Sequence, residues 1–269
     1  MKKISVKILE RKGNNLRFIV SGINPALANA IRRTIIADVP TMAIEEIAVL
    51  ENSSVLPDEI LAHRLGLIPL TVDLDTYDLV YPDEEQNIQV KLVLDIEALD
   101  RPIVVYSGHL KSEDPHILPV YDNIPIVKLE RGQKITLEAY ARYGTGKEHA
   151  KWQPVSVCAY KYMPIIEIDN SRCNLCKKCI EECPKQVLDI VDSKLIVKNL
   201  LNCTTCRMCE IICPNRAIKI SWDDTTFIFN IESTGSIPPE IIVKKALDIL
   251  IRKTKIFKDL VSKRSISEE

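Results

Sequence analysis

Eight of the nine cysteines in this 269-residue chain fall between Cys173 and Cys213. They form two runs of identical spacing. The first is Cys173, Cys176, Cys179 and Cys183, followed by Pro184; the second is Cys203, Cys206, Cys209 and Cys213, followed by Pro214. The second run starts thirty residues after the first, and the flanks repeat as well: Val187-Leu188-Asp189-Ile190 answers Ala217-Ile218-Lys219-Ile220. The segment is therefore an internal duplication. The spacing C-x2-C-x2-C-x3-C-P is the bacterial run that binds [4Fe–4S] clusters. Three thiolates on one tight loop can hold three corners of a cube, while the fourth sits too far along the chain to close it and ligates the other cluster. This assigns Cys173, Cys176, Cys179 and Cys213 to a first cluster and Cys203, Cys206, Cys209 and Cys183 to a second. Zinc favours four ligands in pairs and does not call for such a doubled run. Disulfides need an oxidising compartment, and nothing in the sequence suggests secretion. The expected cofactors are two [4Fe–4S] clusters.

An electron-carrying ferredoxin would be little more than this cassette, so the rest of the chain decides the function. With 46% hydrophobic and 27% charged residues the chain can form a packed core. Its net charge of −1 argues against a broad nucleic-acid footprint. No run reaches the roughly 18 apolar residues of a membrane span. Met1-Lys2-Lys3 leads into alternating residues and not into the apolar core of a signal peptide. Cysteine-rich and without such a signal, the chain is expected in a reducing cytoplasm.

The elements that must position the cassette can be read in order. Ile4, Val6 and Ile8, then Leu16, Phe18 and Val20, alternate with more polar residues around Lys12-Gly13-Asn14-Asn15. This predicts a hairpin with one face buried. Asn24 is expected to cap a helix that starts at Pro25 and carries the stripe Leu27, Ile31 and Ile35, with Arg32 and Arg33 near its middle. A proline-punctuated, β-rich region follows, with alternation at Ile88–Ile96, Ile135–Ala141 and Val155–Ala159. Within it Asp58–Leu65 predicts a short helix. Beyond the cassette, Phe227, Phe229 and Ile231 predict a strand. From Glu240 to about Arg264 no glycine or proline interrupts a helix of roughly 37 Å. That helix carries one stripe of Val243, Leu247, Leu250, Phe257 and Val261 and a second of Ile242, Ala246, Ile249, Ile256 and Leu260. So long and wide an apolar face predicts a subunit interface.

No catalytic constellation emerges. Gly144-Thr145-Gly146-Lys147 lacks the leading glycine of a phosphate loop, and Glu148 stands where serine or threonine belongs. His63, His109, His116 and His149 show no metal-ligand spacing. Glu45-Glu46 and Asp58-Glu59 read as surface or capping residues, and Cys158 as a small buried one.

Several segments together resemble the alpha-like assembly subunit of archaeal RNA polymerase, in its ferredoxin-domain-containing form. They are Asn29–Arg33 with Val39–Ile44, Asp58–Pro69, Ser112–Pro115 and Gly146–Val155, spread over nearly the whole chain in the family's order. The resemblance implies an α+β fold: a split dimerisation domain (1–42 and 222–269), an inserted β-rich domain (43–168) and an inserted ferredoxin-like two-cluster domain (169–221). It implies a non-catalytic subunit that pairs with the small subunit L and supports the large catalytic subunits and small assembly subunits, without sequence-specific nucleic-acid contact. Leu27, Ile31, Arg32, Arg33, Ile35, Leu250, Phe257 and Val261 are the expected partner-facing residues. Some relatives carry extra cysteines in the middle domain; Tyr77–Gln86 has none, so no zinc is expected there. An electron-transfer subunit of an oxidoreductase is the alternative that the cassette alone suggests.

Overall fold

The computed structural model describes residues 3–81 and 88–264, with side chains through Ser262. In chain order the elements are β1 (Ser5–Lys12), β2 (Asn15–Ser21), α1 (Pro25–Ala37), β3 (Thr41–Asn52), α2 (Asp58–Gly66), β4 (Gln89–Glu97), β5 (Ile103–Tyr106), β6 (Lys111–Ser112), β7 (Pro125–Leu129) and β8 (Lys134–Gly144). Then come β9 (Val155–Ile168), α3 (Lys178–Glu181), β10 (Leu188–Val191), β11 (Lys194–Val197), α4 (Met208–Ile211), β12 (Ile218–Ser233) and α5 (Pro239–Arg264). These residues fall into two compact units. One gathers the chain up to Glu10, Arg17–Asn29 and Ala159–Asn230; the other gathers Arg11–Leu16, Ala30–Cys158 and Ile231 onward. Among the described residues no helix is long and apolar enough to cross a membrane.

In the first unit the main sheet runs β1-β2-β12-β9. Its core is aromatic: Phe18 stacks on Phe229 with centroids 5.2 Å apart, and Tyr160 meets Phe227 edge-on at 5.5 Å. Leu16, Phe18 and Val20 are buried, as their alternation predicts. Ile4, Val6 and Ile8 are not: each is about 60% exposed, because β1 is the outer strand of the sheet. The alternation expected at Val155, Val157 and Ala159 also fails after Val155, where Val157 and Ala159 are exposed. Further along β9, Tyr160 and Tyr162 supply rings to Phe227. β9 thus joins the sheet β1-β2-β12-β9 along with the terminal strands. The cassette adds a β10–β11 hairpin, closed by Asp192 and Ser193, both at positive φ as a tight two-residue hairpin turn demands.

Asn24 caps α1 as expected, its Oδ1 accepting the Leu27 N–H at 2.8 Å. The helix stripe does not remain available to a partner. Ile31 and Ile35 are buried inside the chain, and only Leu27 stays exposed. Arg32 is half-buried and Arg33 exposed.

The second unit is built on the sheet β3-β8-β4-β6, with β5–β7 as a separate ribbon. β8 pairs antiparallel with β3 on one side and β4 on the other. Its Ile135, Leu137, Ala139 and Ala141 are fully buried, as are Leu92 and Leu94 of β4, while Ile88 precedes that strand and is exposed. α2 forms where Asp58 and Glu59 favour a helix start. On α5 the two predicted stripes separate only in the first half of the helix, because Ile256 and Leu260 of the second are exposed along with the first. Ile242, Ala246 and Ile249 are buried in the chain, whereas Leu247, Ile256, Phe257, Leu260 and Val261 are exposed. Lys245 is buried too; its Nζ donates to the Tyr77 and Asp78 carbonyls at 3.0 Å each and lies 3.9 Å over the Tyr81 ring. Of the stretch Tyr77–Gln86, where no zinc is expected, residues 82–86 lie outside the described residues.

Candidate metal centre and partner surface

The two cysteine runs share one backbone path. Leu175 and Thr205 have φ of 57° and 55°, Lys177 and Arg207 both 62°, and Gln186 and Arg216 48° and 49°. Left-handed non-glycine residues cost roughly 1–3 kcal/mol each, so they persist only where the surroundings impose them. Here they recur at the same positions of both repeats and wind each C-x2-C-x2-C loop tightly. Short helices follow Lys177 and Arg207, and each carries the third cysteine of its run, Cys179 on α3 and Cys209 on α4, into the interior.

The eight thiols then sort into two sets. Cys173, Cys176, Cys179 and Cys213 line one small cavity, together with Leu195 and Ile218. Cys183, Cys203, Cys206 and Cys209 line another, together with Ile166 and Ile220. The last cysteine of each run has crossed to the other set, as the spacing requires. Backbone N–H groups donate to sulfur at matching places: Val187 to Cys183 Sγ at 3.5 Å and Ala217 to Cys213 Sγ at 3.2 Å. Thr205 does the same to Cys203 Sγ at 3.4 Å. Such donation favours the thiolate. Burial, and then the three other thiols of its own set, push Cys209 up to about 11; the same causes, burial first, raise Cys179. A cationic centre would relieve both effects and displace the protons. Among the described residues no group of three or more His, Cys, Asp or Glu side chains is arranged to hold a metal ion. Four cysteines around each cavity are a donor set of the kind that iron–sulfur clusters take.

The remaining candidates have structural roles. In the Gly144–Lys147 loop the amides are already in use. Thr145 donates from both N and Oγ1 to Glu148 Oε1, at 2.9 and 3.0 Å, and Lys147 N donates to the Ala37 carbonyl at 2.9 Å. His109 and His149 each accept a nearby backbone N–H through Nδ1. Asp58 accepts from Asn52, and Glu45 pairs with Lys151 and Arg142. Burial pushes the Cys158 thiol up to about 12, which leaves it no nucleophile.

One residue near the cysteines has no counterpart among the motifs. Lys161 on β9 donates through Nζ to the carbonyls of Leu201 and Cys203, at 2.7 Å each. Its only sequence signal is a lysine between Tyr160 and Tyr162. For a protein partner, the exposed apolar residues of α5 offer Phe257 (69% exposed), Leu260 and Val261, with Leu250 half-buried beside them.

A profile of the RNA polymerase Rpb3/Rpb11 dimerisation domain matches residues 17–254. The chain is 42% identical to DNA-directed RNA polymerase subunit Rpo3 of Methanosphaera stadtmanae, over 93% of this chain and 96% of that one. It is 42% identical to subunit Rpo3 of Pyrococcus furiosus, covering 96% and 97% of the two chains. It is 35% identical to the subunit rpac1 of RNA polymerases I and III from Dictyostelium discoideum, over 96% of this chain and 82% of that one. This chain belongs to the family of RNA polymerase subunits built on the Rpb3/Rpb11 dimerisation domain.

Proposed function

We propose that this chain is a non-catalytic assembly subunit of an archaeal-type DNA-directed RNA polymerase. It pairs with the small subunit L through the apolar residues of α5 and so forms a platform for the large catalytic subunits. The observation that carries this reading is similarity to subunit Rpo3 over more than nine-tenths of both chains. The exposed Phe257, Leu260 and Val261 support it, since a partner must cover apolar surface of that kind. The electron-transfer alternative would account for the cassette but not for a match that spans 17–254.

The same reading includes a ferredoxin-like insert with two [4Fe–4S] clusters. Cys173, Cys176, Cys179 and Cys213 would hold the first, and Cys203, Cys206, Cys209 and Cys183 the second. When bound, such clusters cross-link a segment with little interior of its own and can take up or release single electrons. This chain's residues would supply the thiolates, the N–H donors to sulfur and the apolar side chains around them.

The test is co-purification. Tagged chain expressed in an archaeal host should bring down subunit L and the large polymerase subunits. Recovery of a flavin or molybdenum enzyme instead would favour the electron-transfer reading.

A further inference from the structure

The two cysteine runs repeat in sequence, but their surroundings do not. The second run is entered through a short turn, Leu200–Asn202, whose Leu200 carbonyl accepts the Cys203 N–H at 3.0 Å. Two cations reach this turn from the main sheet. Lys161 of β9 places Nζ 2.7 Å from the carbonyls of both Leu201 and Cys203. Arg17 of β2 donates from Nη2 to the same Leu201 carbonyl at 3.2 Å. Both contacts are partly buried, so solvent and salt screen them less than surface charges. The turn into the first run is different. There the carboxylate of Asp169 accepts the Ser171 N–H at 3.0 Å and pairs with Arg172 at 3.2 Å. The Arg172 carbonyl, equivalent to that of Asn202, accepts from the neutral amide of Asn215 at 2.9 Å. The first entry turn thus carries a neutralised ion pair, and the second carries two cations donating into its carbonyls.

We propose that Lys161, backed by Arg17, is a positioning residue that fixes the Cys203 turn on the sheet and sets the second cluster at a more positive midpoint potential than the first. This rests on the two-cluster reading above. The physics follows from sign. A cluster gains negative charge on reduction, and a fixed cation beside its ligand turn stabilises that state in inverse proportion to distance and local dielectric. Hydrogen bonds and net charge around the sulfurs are established means of tuning such potentials. The hydrogen bonds add a mechanical effect: Lys161 ties the first ligand of the second set to a strand of the main sheet, a tie that motif symmetry alone does not provide.

The test uses the full chain co-purified anaerobically with its polymerase partner. It compares wild type with Lys161→Met, Lys161→Arg and Arg17→Gln. Iron is counted first, and the reduced clusters are then followed by electron paramagnetic resonance during a dithionite titration. Wild type should reduce in two steps. Lys161→Met should move the more positive step to more negative potential and leave the other in place. Arg17→Gln should move the same step less, and Lys161→Arg should restore it. Steps that stay put in a fully iron-loaded Lys161→Met variant overturn the inference, as does an equal shift of both. If Lys161→Met comes out with about half the iron, arginine must restore both iron and step, and its failure to do so overturns the inference too. A wild-type chain without iron overturns the two-cluster reading itself, before Lys161 comes into question.

Discussion

Cys183 ends the first cysteine run and lines the same cavity as Cys203, which opens the second. The crossing makes a distinction that neighbours in sequence would not. Cys183→Ser should share its defect with Cys203→Ser, and Cys213→Ser with Cys173→Ser. Each should lose about half of the bound iron by the spacing rule. Limited proteolysis should show new cutting within 169–221, while pairing with subunit L survives. Matching spectra for Cys183→Ser and Cys173→Ser would mean that each run closes its own site. Loss of subunit L along with the iron would mean that the cassette is integral to the dimerisation domain.

Phe257 and Ile35 separate pairing from folding. Phe257 is 69% exposed and Ile35 fully buried. Phe257→Glu should leave the circular dichroism spectrum and melting temperature near wild type and abolish pairing with subunit L at micromolar concentration. Ile35→Glu buries an unpaired charge, costs several kcal/mol and should yield unfolded or aggregated chain. A stable heterodimer with Phe257→Glu would place the interface elsewhere.

Gly146 is required by space. A Cβ there would lie 2.1 Å from the Ile36 carbonyl oxygen, a backbone atom that cannot swing aside. Gly146→Ala should cost about 1–3 kcal/mol, the range for forcing atoms into a packed site. Chemical denaturation against wild type measures this. A midpoint unchanged within error would show that the 145–148 loop shifts freely.

Acid should loosen the region around Trp152. Burial alone would raise the Glu45 carboxyl, but Lys151 and then Arg142 outweigh it, and its pKa lies below the ordinary 4.5. A carboxyl depressed in the folded state stabilises fully above its unfolded pKa and loses that contribution as pH falls through the folded value. Lys151 and Arg142 also sit 4.4 and 4.5 Å over the Trp152 ring, so its fluorescence reports on the pair. The change below about pH 4.5 should be blunted in Glu45→Gln. An identical acid profile in that variant would remove Glu45 from the explanation.

Much of this was legible in the residues because local rules act on them. Asn24, the α2 start and the alternation of β8 follow from capping and periodicity, and the cysteine sets follow from the reach of a tight loop. What stayed hidden depends on position in three dimensions. Ile4, Val6 and Ile8 have a perfect core pattern, but β1 ends at a sheet edge. Ile31 and Ile35 form a stripe that could face a partner or the chain's own core, and periodicity cannot choose. β9 switches its buried side to Tyr160 and Tyr162 to meet aromatic rings from β12, more than sixty residues later. Lys161 gains its role from Leu201 and Cys203, 40 and 42 residues away, and no motif marks it.

The most direct measurement is the iron and acid-labile sulfide content of the chain purified without oxygen. Two cubes held by Cys173, Cys176, Cys179 and Cys213 and by Cys203, Cys206, Cys209 and Cys183 predict about eight of each per chain. Cys158→Ser should leave both counts unchanged. Four irons, or stoichiometric zinc in place of iron, would contradict the assignment of two clusters to the two four-cysteine cavities.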